Sequence, residues 1–253
     1  MEQLSGKVAL ITGGGQGVGQ GIAFAMAAAG AAIVVTGRTL EKLNISVSEI
    51  KARGGQALAL TCDVKSSASL SQVVEKTVST YGGLDIIVNN AQEVPLGALL
   101  DVRDDAFVAG FESGPLATHR LMKLAHPHLV ARGGGIIFNL VSSAMIRWDM
   151  SNYGAYGAVK AATQSLTRAA AAEWGRDGIR VLNIAPHAES PGMKWWIENN
   201  PEEAKSFFKT IPLGHVGKCE EDIGTAVVAL CSPDLHYLTG ATIPLDGGQA
   251  YFS

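Results

Sequence analysis

The sequence predicts an α/β protein built on a doubly wound parallel sheet of about seven strands. Three observations point there: short β-branched runs alternate with helix-length stretches, the first run breaks into a glycine-rich turn, and chemically active polar residues fall where strands should end. A length of 253 residues with 47% hydrophobic content suits a sizeable core. With no internal repeat, linker or low-complexity segment in view, residues 1–253 read as one domain.

Residues 7–12 (KVALIT) form the first apolar strand, followed by Gly13, Gly14, Gly15, Gln16, Gly17, Val18 and Gly19 and then by an Ala-rich helical stretch over 20–29. Strand, glycine turn and helix aim free backbone N–H groups and the positive end of a helix at a phosphate, and the glycines let a pyrophosphate approach the backbone. Gly13, Gly15, Gln16, Gly17, Val18 and Gly19 are therefore candidate dinucleotide contacts. Residues 31–36 (AAIVVT) give a second strand ending in Gly37 and Arg38. An acidic residue near this strand end suits a ribose 2′-OH and an Arg suits a 2′-phosphate, so Arg38 points to NADP(H), with NAD(H) the alternative. The competing reading is a solvated Arg opening the helix over 40–53.

Strands follow at 56–61 (QALALT) and 84–89 (LDIIVN), with a helix over 66–81 capped by Ser66 or Ser67 between them. A helix over 115–131, a strand over 135–141 ending in Ser142 and Ser143, a long helix over 153–176 and a strand over 179–184 come next. Trp195, Trp196, Phe207 and Phe208 mark 191–208 either as a helical flap over an apolar pocket or as a segment docked on the core or another subunit. A helix over 220–231 and a strand over 241–245 complete the alternation.

Twenty Lys and Arg against 23 Asp and Glu, without a basic run, argue against a nucleic-acid partner and for a small molecule. Cys62, Cys219 and Cys231 are widely spaced and odd in number, which argues against a disulfide framework or a zinc site. His126 and His128 lack an accompanying Cys or carboxylate, so no metal is expected and surface histidines are the preferred reading. The absence of a leader pattern or an apolar run of membrane-spanning length predicts a soluble cytoplasmic chain without a membrane partner.

Tyr156 and Lys160 stand four apart in a predicted helix, which puts them on one face. A nearby ammonium favours phenolate, so Lys160 is expected to lower the Tyr156 pKa toward the range of an acid/base catalyst. With Thr12-Gly13-x-x-x-Gly17-x-Gly19, Asp63, Asn89-Asn90-Ala91, Asn183-x-x-Pro186 and Asp246-Gly247-Gly248, the chain resembles the compact single-domain branch of the short-chain dehydrogenase/reductase family nearly end to end. The resemblance implies a Rossmann-type fold and an NAD(P)(H)-dependent oxidoreductase that interconverts a carbonyl and an alcohol, with NADP(H) favoured here by Arg38. It implies that Tyr156 is the general acid or base, that Lys160 holds the nicotinamide ribose, and that a Ser orients the carbonyl. It adds Asp63, Val64, Asn90, Ala91, Pro186 and Ala188, besides Tyr156 and Lys160, to the cofactor contacts. It also implies a homo-oligomer, a tetramer or dimer.

Register from Asn139 selects Ser142 as that Ser, whereas counting back from Tyr156 selects Ser143; a one-residue insertion within 145–151 reconciles the two. Tyr153 is a decoy, since its partner four residues on is Gly157. Three positions depart from the family pattern. Gly114 stands where a catalytic Asn that helps hold a relay water is usual, Gln92 stands where a Gly is usual, and His187 replaces the Gly after Pro186. These departures motivate an alternative, a catalytically weakened dinucleotide-binding sensor or assembly protein. The aromatic segment suggests an apolar, bulky substrate.

Overall fold

The computed structural model describes residues 3–147 and 151–250. Its strands are β1 Val8–Thr12, β2 Ala32–Gly37, β3 Gln56–Thr61, β4 Ile86–Asn89, β5 Gly135–Leu140, β6 Ile179–Pro186 and β7 Thr242–Leu245. They form one parallel sheet in the order β3-β2-β1-β4-β5-β6-β7. The order reverses between β1 and β4, so the connections after these two strands diverge and open a crevice at their carboxyl ends.

Helices α1 Gly17–Ala28, α2 Leu40–Ala52 and α9 Thr225–Leu230 cover one face of the sheet. On that side Ile22, Met26, Leu43, Ile50 and Val227 pack with Ala9, Ile11, Ile33 and Val35. The opposite face carries α3 Ser67–Tyr81, α5 Ala117–Ala131 and α6 Gly154–Trp174, whose Leu70, Leu121, Leu129 and Ala170 meet Leu10, Val34 and Ile87. Both faces being covered explains why the strands read as unbroken apolar runs. Ser66 is the cap of α3, its hydroxyl accepting from the Ser69 amide at 3.2 Å.

The helix expected from residue 115 begins eleven residues earlier, at Asp104. Helix α4 Asp104–Phe111 runs through a π-helical turn, Glu112–Leu116, into α5. Pro115 invited the later start because proline suits a first helical turn. Inside a helix its missing N–H breaks the ladder, and the wider turn absorbs that break at Gly114, whose φ of −95° and ψ of −105° are not helical. The expected helix over 220–231 likewise starts as a π turn, Cys219–Gly224, before α9.

Two buried polar clusters fix the sheet. At its amino end the Asp85 carboxylate takes Lys7 at 3.1 Å, Arg132 at 3.1 Å and the Val8 amide at 3.0 Å. Toward the other end Asn89, Asn139, Asn183 and Thr242 stand in register on adjacent strands. Asn89 donates to Asn139 at 2.8 Å, and Asn139 donates to the Thr167 hydroxyl of α6 at 2.8 Å. That hydroxyl in turn donates to Asn183 at 2.6 Å, and Asn183 donates to Thr242 at 3.2 Å. All but Thr242 are buried, so each is held by its neighbours or loses water without return.

Thr167→Val keeps the shape and removes the hydroxyl shared by Asn139 and Asn183. Urea unfolding should show a loss of about 2–6 kcal/mol, from two partners orphaned at about 1–3 kcal/mol each; an unchanged midpoint would show that the ladder does not hold α6.

Candidate active site

The glycine turn after β1 enters α1 with Gln16 at the cap position. Gln16 makes no capping bond, and the first turn of α1 has no acidic residue. The opening N–H groups therefore keep their donors for an anion, which fits a pyrophosphate. Gly17 takes φ of +58°, and a Cβ there would lie 3.3 Å from Pro191, so the turn faces the start of α7 Pro191–Asn199. Val18 is partly buried behind Gly17. The Gln16 side chain accepts from Lys42 at 2.7 Å. Thr12 and Asn90 join the ends of β1 and β4: the Thr12 hydroxyl accepts from the Asn90 and Ala91 amides at 3.0 Å, and the Asn90 side chain donates to Thr12 O at 2.9 Å and Gly13 O at 3.2 Å.

Arg38 leaves the end of β2 exposed and pairs with Glu93 at 2.9 Å. Glu93 also takes Lys65 at 3.0 Å, so two cations share one carboxylate beyond β2, β3 and β4, with Asp63 and Glu112 acting on Lys65 as well. Asp63 is exposed nearby, accepting from the Lys65 amide at 3.0 Å, and Val64 is buried. Sequence reasoning found Arg38 and missed Glu93, because the pair spans 55 residues.

The end of β5 and the start of α6 carry the groups able to move a proton. Ser142 caps the turn after β5, its hydroxyl accepting from the Ala144 amide at 3.2 Å, and a hydrogen bond links it to the Tyr156 hydroxyl. Ser143, the alternative, lies in the 3₁₀ turn that Ser142 caps. Of the segment proposed to contain an insertion, residues 148–150 lie outside the described residues. Gly157 makes the approach between turn and helix possible, since a Cβ there would lie 2.7 Å from Ala144 O. Tyr153 lies edge-on to Tyr156 with ring centroids 6.4 Å apart.

Lys160 is buried, its ammonium donating to Leu140 O at 2.7 Å and lying 5.5 Å from the centroid of the Tyr156 ring. Burial pushes its pKa down to about 7. Burial also pushes Tyr156 up to about 12, against the Ser142 hydrogen bond, which favours phenolate, and with the help of Tyr153. The expected lowering of Tyr156 by Lys160 is absent from this arrangement. Desolvation outweighs it: the amine sits over the ring, and burial disfavours the charge that would do the lowering.

At the end of β6 the segment carrying Pro186, His187 and Ala188 is tied on both sides. His187 N donates to Leu245 O at 2.9 Å, Gly217 N to His187 O at 3.1 Å, and Ser190 N to Ala188 O at 2.7 Å. The His187 ring meets Phe207 edge-on at 5.2 Å, and Phe207 meets Trp196 at 5.5 Å. Burial lowers the His187 pKa, with Asp246 opposing and Arg147 assisting. The aromatics of α7 and of α8 Pro201–Phe208 thus divide: Phe207 docks on His187 and Trp196 on Phe207, while Trp195 stays 64% exposed. His126 is far from this chemistry, paired with Asp177 at 2.9 Å and packed on Trp174. Among the described residues no group of His, Cys, Asp or Glu is arranged to hold a metal, and no helix is long and apolar enough to cross a membrane.

A family model described as enoyl-(acyl carrier protein) reductase, of the short-chain alcohol dehydrogenase type, matches residues 13–250. The chain belongs to the short-chain dehydrogenase/reductase family. As a member it is an NAD(P)-dependent oxidoreductase acting on CH–OH groups. It is 36% identical over 252 residues to a 12α-hydroxysteroid dehydrogenase of a Clostridium species, covering 96% of each chain. A solved 7α-hydroxysteroid dehydrogenase with NADH and 7-oxo glycochenodeoxycholic acid is 34% identical with a TM-score of 0.92, covering 98% of this chain and 96% of that one. A Beutenbergia cavernae structure, described as a candidate NAD(P)-dependent gluconate 5-dehydrogenase and holding NADP at low occupancy, is 29% identical with a TM-score of 0.90, at 98% coverage of both.

In this short-chain dehydrogenase, Lys160 binds fewer protons folded than unfolded between about 7 and its ordinary 10.5. Its cost to stability is full below that window and is relieved as pH rises through it. Lys160→Met should therefore gain stability relative to the parent at acid pH, the gain shrinking as pH approaches 10.5. Urea unfolding across pH checks this, and an offset independent of pH would contradict it.

Proposed function

We propose that the chain interconverts a secondary alcohol and a ketone, that Tyr156 gives or takes the proton, and that NADP(H) is favoured over NAD(H). The observation that carries the reading is the Tyr156 hydroxyl, hydrogen-bonded to Ser142 at the carboxyl end of β5 and backed by Lys160. A bound nicotinamide supplies the hydride chemistry. The remaining work falls to this chain: the turn of Gly13, Gly15, Gln16, Gly17, Val18 and Gly19 binds the pyrophosphate, Asn90 and Ala91 form the crevice wall, and Pro186 and Ala188 line the far side. Asp63 and Val64 border the adenine end.

In the reducing direction the Tyr156 phenol, kept protonated by burial, donates to the developing alkoxide while Ser142 holds the carbonyl oxygen in line. In oxidation the same oxygen accepts the hydroxyl proton. Lys160, 5.5 Å from the ring centroid, favours phenolate whenever it is itself protonated. Arg38 and Lys65, which share the Glu93 carboxylate, would offer two cations to a 2′-phosphate, which supports the NADP(H) preference.

For substrate we propose a bulky hydroxylated or oxo compound with a large apolar surface, of the hydroxysteroid kind. The named relatives support it, as do Leu99 and Leu100, 74% and 100% exposed beside the start of α6, where Leu99 lies against Gly154. We also propose a homo-oligomer, supported by the exposed Phe107, Val108 and Leu116 along α4 and its π turn.

Tyr156→Phe removes the transferable proton and keeps the ring. On a panel of hydroxysteroids and their ketones, read by absorbance of the reduced nicotinamide, its turnover should fall by about 10²–10⁴-fold. In fluorescence titrations the same variant should still bind NADPH, and more tightly than NADH. Near-parental turnover would overturn the role of Tyr156, and tighter NADH binding would overturn the cofactor preference. A parent chain that binds nucleotide and turns over nothing would favour the sensor reading.

A further inference from the structure

The Glu93 carboxylate accepts from Arg38 at 2.9 Å and from Lys65 at 3.0 Å, bridging the end of β2 to the loop after β3. Arg38 directly follows β2, the strand end that meets the ribose 2′ substituent in a dinucleotide fold. A carboxylate from the loop after β4 therefore occupies the guanidinium that a 2′-phosphate needs.

The two ends of this pair are not equally free. Glu93 N donates to Ser113 Oγ at 3.0 Å, and that hydroxyl donates to Ala109 O at 2.7 Å. Gln92 Nε2 donates to Glu93 O at 2.7 Å and to Gly110 O at 2.9 Å. The Gln92 carboxamide is itself seated against Gly114, where a Cβ would lie 2.5 Å from its Oε1. Both backbone groups of Glu93 are thus tied to α4 and its π turn. The Arg38 side chain is 66% exposed against 32% for Glu93, so the arginine is the partner that can turn away. Lys65 has carboxylates on several sides, since Asp63 and Glu112 act on it besides Glu93. Arg38 is the cation whose availability Glu93 decides.

We propose that Glu93 is a cofactor-specificity residue, a built-in competitor that the 2′-phosphate of NADP(H) must displace from Arg38 and that NAD(H) leaves in place. The proposal rests on Arg38 as the 2′-phosphate contact and adds the group that limits that contact. A 2′-phosphate carries about two negative charges. It gains Arg38 only when the pair with Glu93 breaks, and it then stands near a carboxylate of like charge whose backbone is anchored. NAD(H) presents a 2′-OH, needs no cation there and meets neither cost. Glu93 thus narrows the margin between the two cofactors, and it does so from a different strand end than the one that carries Arg38.

Fluorescence titrations of NADPH and NADH test it. Glu93→Gln keeps the shape and the backbone anchors and removes the charge. Its Kd for NADPH should fall about fivefold, the strength of an exposed ion pair, while its Kd for NADH stays within about twofold of the parent. Added KCl should shrink the NADPH gain, because screening weakens the pair that the phosphate displaces. Glu112→Gln removes the same charge beside Lys65 and leaves the Arg38 pair intact, so its NADPH affinity should move by less than about twofold. With Arg38→Met already present, Glu93→Gln should lose most of its gain. Parental NADPH affinity in Glu93→Gln, an equal gain for NADH or in Glu112→Gln, or a gain of the same size without Arg38 would each overturn the proposal. Arg38→Met alone separates the two failures. If it weakens NADPH while Glu93→Gln changes nothing, this inference alone is rejected; if NADPH binding ignores Arg38→Met, the cofactor reading is rejected and this inference with it.

Discussion

Thr167 is one hydroxyl on a long helix, and the position of the candidate site depends on it. It lies at the middle of a buried hydrogen-bonded line from Asn89 on β4 through Asn139 on β5 to Asn183 on β6. Such a line has one satisfied register, because sliding α6 by a residue would orphan several buried groups together. Lys160, Thr163 and Thr167 share the inward stripe of α6, all three buried, so the line that fixes Thr167 also fixes Lys160 two turns earlier. Lys160 then meets Leu140 O at the last residue of β5, and Tyr156 reaches Ser142 just beyond it.

That placement has an electrostatic cost. Lys160 is an amine in the interior that donates to Leu140 O, and burial alone takes it to about 7. Tyr156 goes the other way, to about 12, so both groups favour their neutral forms at the carboxyl end of the sheet. A neutral phenol is the form an acid needs to protonate a carbonyl, and an amine near neutrality exchanges protons readily. Stability given up at such a site is a common trade for function.

Much of this was legible in the sequence. The alternation of apolar runs and helices gave the layers, and the glycine turn after β1, the Tyr and Lys four apart, and the strand-end Asn residues located the crevice, because local spacing controls each of them. The long helix through 104–131 was not legible from Pro115, since proline reads as a helix start and only the π turn at Gly114 lets it sit inside. Contacts across long stretches were also hidden. Glu93 on Arg38, Gln92 filling the space at Gly114, and Phe207 on His187 depend on which loops meet over the sheet. The effect of Lys160 on Tyr156 was misjudged for a different reason. Helical spacing gives proximity and says nothing of burial, which here decides both pKa values.

The account turns on Tyr156 entering the cycle as a phenol. Carbon NMR of ring-labelled tyrosine, with Tyr156→Phe used to assign the signal, follows its ionisation directly in the free protein. The Tyr156 resonance should show no phenolate at or below the ordinary tyrosine value of 10.0 and should titrate toward about 12; a phenolate already formed near neutral pH would contradict the account.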